Sequence, residues 1–131
     1  MSKRALRATL QVTKALADAQ RIRILMLLAT GELCVCQVVE VLGLAPSTVS
    51  KHLSILTAAE LVEMRKEGRW AYYRLSASTT TAPARPAWEW IKAALKSDDQ
   101  ILADRRKLKA VMACDPEELC RRQRPRSERT T

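Results

Sequence analysis

A chain of 131 residues holds one domain around one modest core, and 47% apolar with 28% charged residues excludes wholesale disorder. The best apolar run, Ile24 to Ala29, is too short to cross a membrane. Lys14 and Asp18 break the N-terminal stretch that a signal peptide would need, so a soluble cytoplasmic protein is expected. The net charge of +9 sits at the two ends: residues 1–30 hold six basic and one acidic residue, residues 121–131 hold five Arg and one Glu, and the span between is balanced. Such ends suit a polyanion partner and equally suit plain solvation.

In chain order, Leu6, Leu10, Thr13 and Leu16 fall at helical spacing and predict a helix over 4–17. A more apolar helix follows at about 20–29 and stops at Thr30-Gly31. A third spans roughly 33–42, with Val35, Val38, Val39 and Leu42 inward, and ends at Gly43. Pro46 then opens a fourth, because a missing N–H costs nothing in a first turn, and Val49, Leu53 and Leu56 form its stripe. After Leu61 the period changes to two. Val62 and Met64 alternate with charges, Glu67-Gly68 reads as a turn, and Trp70 to Leu75 is rich in strand formers, which predicts a β-hairpin. Residues 76–86 have linker composition. Beyond them Trp88, Ile91, Leu95, Ile101, Leu108 and Met112 mark one long helix, or two broken at Ser97-Asp98. Asp115-Pro116 caps a short last helix containing Cys120. Residues 1–120 thus form one domain, and 121–131 read as a disordered basic tail.

Two helices joined by Gly43-Leu44-Ala45, followed by a basic hairpin, form the layout of a winged helix-turn-helix: mostly α with a β-hairpin wing. Opposite its apolar stripe the second helix shows Ser47, Thr48, Ser50, Lys51 and Ser54. Short hydroxyls and one cation let a helix lie close in a DNA groove and bond to base edges and phosphates. His52 either reaches a phosphate or packs at the helix edge. Arg65, Lys66 and Arg69 gather around the hairpin turn, where a wing meets the phosphate backbone. Trp70, Tyr72 and Tyr73 suit core and interface better than base stacking.

Three motifs, Glu32-Leu-Cys-Val-Cys36, Ser47-Thr-Val-Ser-Lys-His-Leu53 and Glu67-Gly-Arg-Trp-Ala-Tyr-Tyr-Arg-Leu75, stand in one order. In them the chain closely resembles the arsenic-repressor (ArsR-type) family over roughly residues 10–75. The resemblance implies a homodimeric repressor, and the apolar stripes of the N-terminal and long C-terminal helices, more than a small core can cover, predict that these helices pair across a two-fold axis. The repressor would bind double-stranded operator DNA as an inverted repeat and be released when a metal or metalloid binds.

The four cysteines, Cys34, Cys36, Cys114 and Cys120, suit thiols, metal ligands or redox groups, and a single histidine argues against a site built from several imidazoles. Residues two apart on a helix point about 200° from each other, so two thiolates on one ion need a non-helical backbone at 34–36. Ligand binding at this helix start is therefore expected to unwind it and to disturb the support of the DNA reader.

The family resemblance implies As(III) or Sb(III) as inducer, held by three thiolates. Its usual third cysteine falls here on Val39, so Cys114 or Cys120 must complete the site. Cys114, at a helix boundary, is favoured, with Cys120 the alternative. Cadmium- and lead-sensing relatives add N-terminal cysteines that residues 1–33 lack, and zinc-sensing relatives use histidines that the last helix lacks. A thiol-redox sensor of the same fold, or a cadmium- or lead-sensing repressor, is the alternative reading. An enzyme is not expected: the chain has no Cys-x-x-Cys, no phosphate-binding glycine loop, and no base paired with a nucleophile.

Overall fold

In a computed structural model, which describes residues 3–80 and 84–124, the most apolar segment of the chain becomes the axis of the core. Ile24 to Leu28 are all buried, as the uninterrupted apolar second half of the helix requires. This helix, α2 (Ala19–Leu28), follows α1 (Lys3–Leu16). It touches α1 and also α3 (Val35–Leu42), α4 (Pro46–Ala58), β3 (Trp70–Leu75) and α7 (Asp99–Met112). Asp18 starts it as N-cap, its Oδ1 accepting from the backbone N–H of Gln20 at 2.8 Å and of Arg21 at 3.2 Å. Arg21 in turn closes α1, donating to the carbonyls of Ala15 (2.7 Å) and Lys14 (3.1 Å).

The helix expected from 33 begins two residues later. Leu33–Cys34 form a short strand, β1, paired antiparallel with β3 (Leu33 opposite Tyr73, Cys34 opposite Tyr72). The expected hairpin, β2 (Val62–Glu67) with β3, is present and turns at Gly68 with φ 61°. It thereby belongs to a three-stranded sheet of order β1-β3-β2. Helical periodicity at 33–42 hid this strand, because two residues become a strand only where a partner lies beside them. Gly43 ends α3 with φ 69°, a left-handed conformation that glycine adopts without strain. The short connection to Pro46 completes the helix-turn-helix.

The segment with linker composition is tied to the fold as far as it is described. Ser76 Oγ donates to the Glu60 carbonyl, and Thr79, on the single turn α5 (Ala77–Thr80), donates to the Leu61 carbonyl at 2.7 Å. Of the two readings after it, two helices are correct: α6 (Arg85–Leu95) ends before Asp98, which caps α7. Arg23 reaches from α2 to Asp104 on α7 with two 2.9 Å bonds, and Asp104 also accepts from Gln100. Asp115 caps the last helix, α8 (Pro116–Gln123), as expected. The basic tail expected from residue 121 therefore starts inside a helix; residues 125–131 lie outside the described residues.

Candidate functional site

Cys34 ends β1 in extended conformation (φ −72°, ψ 145°), and its N–H donates to Gln37 Oε1 at 2.9 Å. Cys36 lies in the first turn of α3. The backbone thus changes from strand to helix between the two cysteines, and the divergence expected of two thiols on one helix does not arise. Their sulfurs and that of Cys120 lie within 4.8 Å of one another, with Cys36 and Cys120 joined as a disulfide across 84 residues of sequence. Cys34 and Cys36 are buried and Cys120 half-buried. Cys114 is elsewhere: it is exposed at the end of α7, its thiol 3.7 Å from the Ala110 carbonyl. Convergence at 34–36 needs no unwinding of α3, which removes the premise of the expected unwinding step. Burial raises the pKa of Tyr72, opposite Cys34, and the nearby Cys34 sulfur adds to the shift.

Sequence reasoning missed what seats α8. Leu119 is completely buried, and Gln123 Nε2 donates to the Cys36 carbonyl (2.8 Å) and to Glu40 (3.2 Å). Arg122 lies 3.7 Å from Glu40. A cavity of about 430 Å³ opens beside the sulfurs, walled by Val39, Pro46, Ser50, Arg69 and Trp70 among others. The three cysteines line it too, so one cavity is shared by the thiols, by Ser50 of α4 and by Arg69 and Trp70 of the wing.

On α4 the side chains of Ser47, Thr48, Ser50 and Lys51 are exposed on one open face, as their spacing predicts. His52 is half-buried, its Nδ1 3.2 Å from an Arg21 guanidinium nitrogen. A guanidinium only donates, so Nδ1 accepts and the ring proton sits on Nε2. On the wing the cations differ. Arg65 lies over the Tyr72 ring at 4.6 Å and is held by Glu32 and Glu67, at 2.7 and 2.8 Å. The hydrogen bonds that Arg65 donates to Glu32 and Glu67 raise its pKa, and the bond Glu32 accepts from Arg65 lowers that of Glu32. Arg69 Nη2 donates to Glu117 on α8 at 2.7 Å. Lys66 is exposed and has no ion pair among the described residues.

A helix-turn-helix with a β wing and a polar, exposed second helix defines a DNA-binding regulator. Residues 18–64 match the family model described as bacterial regulatory protein, arsR family. The chain is 36% identical to the arsenic resistance transcriptional regulator ArsR2 of Pseudomonas putida, over 71% of its own length and 78% of the relative's. It is 41% identical to the arsenical resistance operon repressor of Escherichia coli, over 60% of this chain and 63% of that protein. Among solved structures it resembles the homodimeric winged helix-turn-helix DNA-binding domain Mb0332 of Mycobacterium bovis. The TM-score there is 0.61 at 35% identity, covering 73% of this chain and 90% of that one. The chain belongs to the arsR family, whose members are DNA-binding transcriptional regulators and not enzymes.

Proposed function

We propose that this chain is a cytoplasmic repressor that binds operator DNA as a homodimer and is released by As(III) or Sb(III) bound to Cys34, Cys36 and Cys120. The observation that carries the reading is the meeting of those three sulfurs, two of them buried. Three soft thiolates with no imidazole or carboxylate among them suit a thiophilic trivalent ion and suit a hard cation poorly. A low-molecular-weight thiol first reduces the Cys36–Cys120 disulfide by two electrons and is itself oxidised to a disulfide; arsenous acid plus the three protein thiols then gives the tris-thiolate and three waters. Cys120 replaces Cys114 as third ligand because α8 carries it to α3, whereas Cys114 faces solvent. Ser47, Thr48, Ser50 and Lys51 meet the groove, His52 supports the helix edge beside them, and Lys66 and Arg69 meet phosphates. Arg65, shared between two carboxylates, contributes less. The operator is an inverted repeat with half-sites about one helical turn apart, or a multiple of it.

A second reading has one observation in its favour, the Cys36–Cys120 disulfide. A hydroperoxide would oxidise the two thiols to the disulfide and be reduced, by two electrons, to water and an alcohol or a second water. One experiment separates the readings. Operator binding is followed by fluorescence anisotropy under a thiol-free reductant while arsenite is added. Release is expected for the wild type and for Cys114→Ser. Cys34→Ser, Cys36→Ser and Cys120→Ser should bind the operator yet need on the order of tenfold or more arsenite for release. Release by peroxide alone, with arsenite inert, selects the redox reading.

A further inference from the structure

The last helix touches both the thiol site and the wing. Its fifth residue, Cys120, joins the sulfur cluster, while in its first turn Glu117 holds Arg69 at the tip of the hairpin. An eight-residue helix has too few hydrogen bonds to persist alone in water, so its position depends on what it docks against. Its seat on α3 consists of buried Leu119, the two Gln123 hydrogen bonds, the approach of Arg122 to Glu40 and whatever joins Cys120 to Cys36 and Cys34. The last of these changes with the chemical state of the sulfurs. In the structure Cys120 is covalently joined to α3, and Arg69 is on Glu117.

We propose that α8 is a strap carrying the state of the thiols to the wing. Joining Cys120 to the α3 sulfurs seats the helix, and the seated helix presents Glu117 to Arg69, withdrawing that cation from a DNA phosphate. This rests on the proposed function, both for the thiol site and for Arg69 as a group that meets phosphate. A carboxylate 2.7 Å from the exposed guanidinium occupies one of its donors and repels an approaching phosphate, an effect the size of an exposed ion pair. By reciprocity, a phosphate that takes Arg69 loosens α8 and so weakens binding at the sulfurs. No change in the helix-turn-helix itself is required.

The test is Glu117→Gln, which keeps the shape of an exposed side chain and removes its charge. Operator affinity is measured against salt in three states: reduced, reduced with arsenite, and oxidised with the Cys36–Cys120 bond closed. The oxidised protein seats α8 without metalloid, so the strap is tested even if arsenite does not bind. Glu117→Gln should raise affinity roughly two- to fivefold in the joined states, the size of an exposed ion pair. It should steepen their salt slope by about one unit per wing and leave the reduced, ligand-free protein unchanged. In an Arg69→Ala background the effect should vanish. An equal effect in all states, no effect in any, or an effect that survives Arg69→Ala overturns the strap. If neither arsenite nor oxidation weakens operator binding, the proposed function falls as well. If arsenite weakens it but Glu117→Gln changes nothing, only the strap falls; if oxidation alone weakens it, the metalloid reading falls and the redox reading stands.

Discussion

Where a side chain ends up depends on a few hydrogen bonds around it, and Asp18 and Lys51 show two outcomes of that dependence. Burial acts to raise the Asp18 pKa, but the N–H groups of Arg21 and Gln20 and the charge of Arg21 outweigh it and hold the carboxyl below its usual 3.8. A depressed folded pKa means that the cap stabilises fully above the unfolded value and is lost as pH falls through the folded one. Asp18→Ala should therefore cost about 1 kcal/mol at neutral pH. In denaturant titrations the difference from wild type should close as the pH falls below that carboxylate range; a constant difference would show that the cap acts through packing. Lys51 is exposed on α4 and belongs to none of the ion pairs among the described residues. Lys51→Ala should weaken operator binding and reduce the salt slope by about one unit for each phosphate that the lysine neutralises. Unchanged affinity and slope would mean that α4 does not face the DNA.

At the scale of elements, the periodic helices and most of their ends were legible: Pro46, Gly43 and Asp115 act on their own neighbours, so the local sequence contains the signal, whereas the sequence left one helix or two open at Ser97-Asp98. The pairing of α2 with α7 was not, because Arg23 and Asp104 stand 81 residues apart and read in the sequence as ordinary surface charges. Packing the helices together buries the aspartate almost fully and gives it two guanidinium bonds and an amide. Asp104→Ala leaves that guanidinium half-enclosed without its acceptor and should destabilise the fold by about 3 kcal/mol, near the lower bound for breaking a buried pair. Denaturant unfolding checks this. A destabilisation below about 1 kcal/mol would place the pair with weak surface bridges.

The whole molecule has apolar surface that one chain does not cover. Leu6 is 67% and Trp90 is 70% exposed, and a groove between α1 and α6 is lined by Ala8, Val12, Ala84 and Pro86. Large exposed apolar side chains on α1 and α6 point to an interface between copies. Sedimentation at micromolar concentration should give a dimer. Leu6→Glu with Trp90→Glu should give a monomer whose operator affinity is lower by on the order of a hundredfold, since the second half-site loses its tethered reader. A monomeric wild type, with and without DNA, would refute the assembly.

The order of helices, the glycine turn, the hairpin and the exposed hydroxyl face of α4 were determined by the sequence alone, since each depends on residues within a few positions of one another. Tertiary structure decided the rest. Leu33–Cys34 became a strand because β3 lies beside them, and that strand is what lets Cys34 and Cys36 converge. Cys120 rather than Cys114 joined them because Leu119 and Gln123 dock α8 on α3, a choice made 84 residues from Cys36 that no local pattern records. Propensity and periodicity act over one or two turns, whereas a site shared by three segments exists only once the chain has packed.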